Sequence, residues 1–180
     1  NASTVTLTDT TGTVAFQGNA TIGTLNTANK GYNVSMTGGS NTVTSAVSFL
    51  NTGTVTLGDG GDSFTFTGGV ATSGNASNPS STTVNGNVST TNTALTLGTT
   101  SVGGNSTLDA GTNTITLGAA TLADGVTLTL GTGAGTTISA SSISGTAGGT
   151  ASNLTINTTG AATVSGAVGT DIGTVTVTQS

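Results

Sequence analysis

The chain has 180 residues, of which 32% are apolar and 4% are charged, with a formal net charge of −5 and one lysine or arginine. Nucleic-acid binding is excluded, because affinity for phosphates depends on many lysines and arginines. The absence of cysteine and histidine removes disulfides and the usual zinc and copper ligands. General acid and base catalysis needs several converging ionisable groups, so we expect no catalytic residues and no organic cofactor.

The residue types favour β-strands along the whole chain. Threonine accounts for 46 residues, serine for 20 and glycine for 30, and the apolar residues are mostly Val, Leu, Ile and Ala in short bursts. Threonine and valine are β-branched and fit a pleated, half-buried surface. No stretch approaches the ~18 consecutive apolar residues of a membrane helix, so we expect no membrane span.

The first predicted strand lies in the opening segment NASTVTLTDTTG. The segment begins with Asn1 in place of methionine, as is typical of a processed product or a piece of a longer polypeptide. Val5 and Leu7 alternate with threonine there, and no capping pattern precedes them. An uncapped strand exposes backbone groups that can pair with another molecule.

Apolar residues then recur about every 20 positions, which is the pattern of a repeat architecture. One column keeps close to this interval throughout, apart from a single double interval between Leu57 and Leu97. Its members are Phe16, Met36, Leu57, Leu97, Leu117, Ile138, Ile156 and Val177. A second column falls about half a period away and consists of Val47, Phe66, Val88, Leu108 and Leu128. The segments NTGTVTLG (51–58), NTALTLG (92–98) and NTITLG (113–118) repeat the same rhythm.

This rhythm predicts an all-β parallel β-helix, or β-solenoid, in which each coil buries its apolar side against the next. With about 20 residues per coil, residues 1–180 form a single domain of roughly nine coils. An antiparallel β-sandwich is the alternative, since it also has short strands at regular spacing.

The segment TLGDGGDSFTF (56–66) resembles the calcium-binding nonapeptide repeat G-G-x-G-x-D-x-U-x, where U is a large apolar residue. Asp59 and Asp62 are the candidate calcium ligands, and calcium is the one possible cofactor. Calcium takes about 6–8 oxygen ligands, and tandem copies of the motif would be needed to supply them. The alternative is a structural corner in which Asp side chains hydrogen-bond turn amides.

A protruding loop is predicted at residues 71–83, ATSGNASNPSSTT, which holds the single proline and no large apolar residue. Pro79 cannot donate a ladder hydrogen bond and is therefore unsuited to a central strand. Asn75, Asn78 and Pro79 are the candidate residues for contact with a host glycan or receptor.

Residues 83–133, which are rich in Thr, Gly, Asn and Val, resemble the repeat region of filamentous haemagglutinin-like exoproteins and autotransporter passengers. The resemblance implies a right-handed parallel β-helix on the surface of a Gram-negative bacterium. It also implies a fibre or adhesin role. The Asn-Pro-Asn motifs of the family's secretion domain are missing, and the one Asn-Pro is Asn78-Pro79 in the predicted loop.

The final segment GTVTVTQS is strand-like, as is the first, so Val175 and Val177 are expected to meet Val5 and Leu7 of another copy. Such a head-to-tail contact generates an open filament. The sequence thus predicts a non-enzymatic structural subunit of an extracellular bacterial surface fibre. Its expected partners are copies of itself or flanking repeats of a longer chain.

A binding module is the alternative function, either a glycan- or receptor-binding adhesin or an ice-binding solenoid. Thr-x-Thr segments recur along the chain, and arrays of threonine on one flat face would suit ice. Here the segments do not share one column, and flanking threonines point outward in any β-helix with apolar residues between them.

Overall fold

A computed structural model describes residues 1–8 and 10–178 of the chain, and Asp9, Gln179 and Ser180 lie outside the described part. The described residues form strands and connecting turns and contain no helix, hence no apolar helix of membrane-spanning length. The strands are β1 (Ala2–Thr6), β2 (Thr13–Phe16), β3 (Thr21–Asn26), β4 (Asn33–Met36), β5 (Ser40–Val43), β6 (Val47–Ser48), β7 (Thr54–Phe66), β8 (Val70–Ala71), β9 (Ser81–Thr90), β10 (Leu95–Leu97), β11 (Thr100–Val102), β12 (Ser106–Asp109), β13 (Thr114–Leu122), β14 (Thr127–Leu130), β15 (Thr137–Gly145), β16 (Ser152–Asn157), β17 (Ala162–Val164) and β18 (Ile172–Thr178).

The strands pair in parallel, each with a strand of the next coil, and build a β-solenoid of about eight turns that are about 22 residues apart. The solenoid prediction is therefore confirmed. The antiparallel sandwich is wrong, because its strands would pair with neighbours running in the opposite direction.

Three ladders of stacked strands run along the solenoid. Ladder 1 contains β2, β4, the first part of β7, the first part of β9, β11 and the last parts of β13 and β15. Ladder 2 contains β3, β5, the last parts of β7 and β9, β12, β14, β16 and β18. Ladder 3 contains β6, β8, β10, the first parts of β13 and β15, and β17.

The long strands turn from one ladder to the next, and their sequences show where they do so. In β13, Ile115 and Leu117 are buried on ladder 3, whereas Ala120 and Leu122 are buried on ladder 1. The two-residue alternation therefore shifts by one position at Gly118, where the corner lies. A Cβ atom at Gly118 would stand 2.6 Å from the carbonyl oxygen of Gly98 in the preceding coil, so a larger residue at Gly118 would force this corner to shift.

The core is a set of inward-facing columns along the ladders. On ladder 2 one column contains Phe64, Val88, Leu108, Leu130, Ile156 and Val177. On ladder 3 another contains Val47, Val70, Leu95, Ile115 and Ile138. Each fully buried Val, Leu, Ile or Phe stabilises the fold by roughly 1.5–3 kcal/mol relative to an exposed position.

The apolar columns predicted from the sequence are wrong in their membership. Phe16, Met36 and Leu57 do stack, but they continue with Val84 on ladder 1. Leu97 and Leu117 lie on ladder 3, Ile138 lies in the neighbouring column of that ladder, and Ile156 and Val177 lie on ladder 2. The second predicted column, which begins with Val47 on ladder 3, likewise mixes two ladders.

The error arises because coil length varies. Thr100 pairs with Thr82, whereas Ser81 pairs with Thr54, so the coil that contains the loop before β9 is much the longer of the two. Corners and loops can gain residues without disturbing the ladders. Residues taken at a constant interval of about 20 along the sequence therefore fall on different ladders. The apparent gap between Leu57 and Leu97 arises because Leu57 lies on ladder 1 and Leu97 on ladder 3, and no coil is missing between them.

Asparagines at the corners tie neighbouring coils together, a feature that the sequence analysis missed. The Oδ1 atom of Asn33 accepts a hydrogen bond from the Thr54 amide at 2.8 Å, and that of Asn105 accepts one from the Thr127 amide at 2.8 Å. Asn19 accepts in the same way from the Ser40 amide at 3.0 Å. These side chains pair the backbone amides of the first residues of β7, β14 and β5 with the preceding coil.

Candidate functional site

The acidic segment at residues 58–62 is a corner between ladders 1 and 2. Gly58 and Gly61 have φ values of +93° and +76°, which favour glycine. The Asp62 carboxylate is buried, with 6% exposure, and its Oδ2 atom accepts a hydrogen bond from the Asp59 amide at 2.8 Å. The Asp59 side chain is exposed. The arrangement is that of a carboxylate that closes a turn.

Calcium at Asp59 and Asp62 stays a prediction. In the described part of the chain no group of three or more acidic, histidine or cysteine side chains lies together. Two carboxylates supply only a part of the roughly six to eight oxygens that calcium takes. Any calcium bound here would depend mainly on backbone oxygens and water.

Removal of divalent cations should therefore leave the fold unchanged. We expect EDTA to shift the thermal unfolding midpoint of the protein by no more than about 1 °C, because the described contacts of Asp62 are to the backbone. The measurement is far-UV circular dichroism against temperature, with and without added calcium. Asp62→Asn is the matched variant, since it keeps an oxygen acceptor for the Asp59 amide but loses the charge. A calcium-dependent rise of several degrees in the wild type, absent in Asp62→Asn, would instead establish a structural metal site.

The loop predicted at 71–83 corresponds to residues 72–80, between β8 and β9. The Asn75 amide donates to Asn78 Oδ1 at 3.0 Å, the Ser77 hydroxyl donates to the Leu50 carbonyl, and the Ser80 hydroxyl donates to the Gly53 carbonyl at 3.1 Å. The loop is thus held against the corner of the preceding coil.

The loop offers little chemistry for recognising a ligand. Asn75, Asn78 and Pro79 are each half-buried. Residues 71–83 contain neither a charged nor an aromatic side chain, so a sugar would find only amides and hydroxyls there. Contact of these residues with a glycan or receptor stays a prediction.

The Thr-x-Thr segments occupy all three ladders. Thr42 and Thr65 pair on ladder 2, Thr54 lies on ladder 1, and Thr114 and Thr116 lie on ladder 3. The longest outward column of threonines is on ladder 2, where it is preceded by Ser40, Ser63 and Asn87. It consists of Thr107, Thr129, Thr155 and Thr176. Ice binding through one regular threonine face is therefore poorly matched to this distribution.

The two ends of the solenoid are the places where apolar core residues meet solvent. Five apolar side chains near the first end are only partly buried, and these are Val5, Leu7, Val14, Phe16 and Ala20. In the last coil Val168, Val175 and Val177 are 40%, 48% and 62% exposed. They are the large apolar side chains that are exposed in the described ranges 1–8 and 10–178. Neither described end carries a helix.

The first coil also has an open notch of about 330 Å³ on the edge of ladder 2. Its lining includes Asn1, Val5, Phe16, Gly18, Ala20 and Ile22. Strand β1 pairs with β3 from Ala2, opposite Ile22, to Thr6, opposite Asn26. The positions above Gly18, Asn19 and Ala20 therefore have no described strand over them.

Of the residues predicted from the sequence, the structure places Val5 and Leu7 at one end and Val175 and Val177 at the other. Phe16, Ala20 and Val168 were missed as end residues. The sequence pattern placed Phe16 in the interior as the first member of an apolar column. That pattern does not indicate which coil is the first to be covered by another.

Comparison of the chain with protein-family models, with curated proteins and with solved structures returned no match. The parallel solenoid is compatible with β-helical repeat proteins as a class.

Proposed function

We propose that this protein is a non-enzymatic structural component of an extracellular bacterial surface fibre, a β-solenoid rod whose copies join end to end. The observation that carries the proposal is the pair of apolar end coils, with Val175 and Val177 exposed on one and Phe16 and Val5 half-buried on the other. Natural solenoids close such ends with polar caps to prevent pairing between copies. Apolar side chains on exposed strand edges favour assembly.

The walls of the rod support a structural role as well. Only 4% of residues are charged, and the outward positions on the ladders are mostly threonine and serine. A surface with few titratable groups keeps its properties across pH and ionic strength. As part of the same proposal, the chain belongs with the repeat regions of filamentous haemagglutinin-like and autotransporter-passenger proteins, whose Thr- and Gly-rich repeats it resembles.

Electron microscopy of the purified chain tests this function. About eight turns at ~4.8 Å per parallel strand give an axial length of about 38 Å per copy. We expect unbranched filaments with that subunit repeat, and their number should increase with protein concentration. Single short particles at every concentration, with no increase in light scattering, would show that the chain does not assemble by itself and would overturn the filament proposal.

A further inference from the structure

The notch in the first coil and the exposed valines of the last coil lie at opposite ends of the same inward columns. On ladder 2 the column of Val177 leads back to Asn41, which pairs with Phe64. Ala20 heads this column, because its amide donates to Asn41 Oδ1 at 3.2 Å and its carbonyl accepts from the Thr42 amide at 2.7 Å. Ala20 forms part of the notch, and Val177 is the most exposed large apolar residue described.

Ladder 1 has the same correspondence. The column that begins at Val14 continues through Val34, Val55, Thr82, Thr100, Ala120 and Ile143, and it ends at Val168. Val14 is partly buried and Val168 is 40% exposed. Two independent columns therefore present an unfilled apolar position at the first coil and a protruding valine at the last coil.

We propose that the notch is the seat for strand β18 of a second copy of this chain, with Val177 above Ala20 and Val168 above Val14. This inference rests on the proposed end-to-end assembly and specifies its register. With Val177 above Ala20, Thr178 reaches the position above Thr21, where Asn1 of the other copy precedes the Ala2 that pairs with Ile22, so Asn1 has to turn aside. Strand β18 of one copy and strand β1 of the other then meet end to end on the edge of ladder 2.

The occupant is a second copy because the seat matches this chain's own last coil in three respects. The inward residues match in spacing, since Val175 and Val177 alternate with outward threonines as the notch residues Gly18 and Ala20 alternate with Asn19. The pairing direction is parallel, as in the rest of the ladders. The added strand would also supply backbone partners to an edge, which is the usual mode of strand addition.

Cysteine cross-linking tests the register, and the natural sequence contributes no background because it has no cysteine. Stacked parallel strands bring partner Cα atoms within the range of about 4.4–6.8 Å that a disulfide allows. We expect the double variant Ala20→Cys with Val177→Cys to form a series of disulfide-linked oligomers on mild oxidation. We expect the same of the double variant Val14→Cys with Val168→Cys. The crossed pair, Val14→Cys with Val177→Cys, is the control and should remain monomeric on a non-reducing gel.

A second pair of variants tests the same seat without cross-linking. Val177→Asp places a charge on an inward position, whereas Thr176→Asp places the same charge on the neighbouring outward position of β18. We expect Val177→Asp to raise the concentration needed for assembly at least about tenfold and Thr176→Asp to change it less than about twofold. Circular dichroism confirms that both variants are folded.

The outcomes separate the seat from the assembly itself. The proposed register is wrong if filaments form but only the crossed cysteine pair cross-links. It is also wrong if Val177→Asp and Thr176→Asp change assembly equally. Either result still supports end-to-end assembly. The absence of both filaments and covalent oligomers in every variant overturns both proposals. That result would assign the notch to a flanking segment of a longer polypeptide.

Discussion

Replacing Phe66 with alanine should lower the free energy of unfolding by about 3–5 kcal/mol. Phe66 is 1% exposed, pairs with Val43 and Thr90 in the neighbouring coils of ladder 2, and packs edge-to-face against Phe49 with ring centroids 6.5 Å apart. The substitution removes the apolar area of the ring, the aromatic pair and the filling of the core between three coils. Each coil is stabilised by its neighbours, so a cavity in the middle of the stack weakens both interfaces.

Urea unfolding followed by far-UV circular dichroism measures this effect, at one fixed protein concentration because self-association adds to the apparent stability. Phe16→Ala is the matched control, since it makes the same chemical change at a half-buried position of the first coil. We expect it to cost about 1–2 kcal/mol. Equal costs for the two variants would contradict the assignment of Phe66 to the core and of Phe16 to an open end.

Replacing Gly58 with alanine should be the second most damaging change, at about 2–5 kcal/mol in total. The φ of +93° costs an L-residue about 1–2 kcal/mol. In addition, a Cβ atom would stand 2.3 Å from the carbonyl oxygen of Asn85 in the next coil. Backbone cannot retreat as a side chain can, so the clash adds about 1–3 kcal/mol as overpacking does elsewhere.

Two further glycines separate these contributions. Gly61 has a φ of +76° with no atom within 4 Å of the added Cβ, and Gly31 has open space without a positive φ in that range. We therefore expect Gly61→Ala to cost about 1–2 kcal/mol and Gly31→Ala to be close to neutral. Thermal and urea unfolding of the three variants provide the comparison. A Gly58→Ala protein as stable as Gly61→Ala would mean that the corner moves freely away from Asn85.

The sequence repeat correctly predicted the β-solenoid fold, and it predicted some of the residue pairs between neighbouring coils. The echo between NTALTLG and NTITLG predicted the pairing of neighbouring coils, and Leu95 does pair with Ile115 and Leu97 with Leu117 on ladder 3. The similar segment NTGTVTLG failed, because its Val55 and Leu57 lie on ladder 1. Strand composition is alike on every ladder, so likeness of sequence does not distinguish one ladder from another.

The corner chemistry was predictable in kind but not in detail. The glycines and aspartates at 58–62 predicted a turn, and the Asp62 carboxylate does accept a hydrogen bond from the Asp59 amide. The links from Asn33 to Thr54 and from Asn105 to Thr127 each join two different coils, so they depend on how those coils stack. These links therefore cannot be predicted from the local sequence.

By itself the sequence determined that the chain is built of strands, that its coils repeat and that its walls are nearly uncharged, because these follow from residue type and two-residue alternation. Only the tertiary structure decided which residues share a ladder, where the corners lie and which apolar positions are left open at the ends. The physical reason is that short and long coils stack equally well when their strands stay in register, since the corners and loops take up the difference in length. The notch at Ala20 and the protruding Val177 exist only once that stacking is complete.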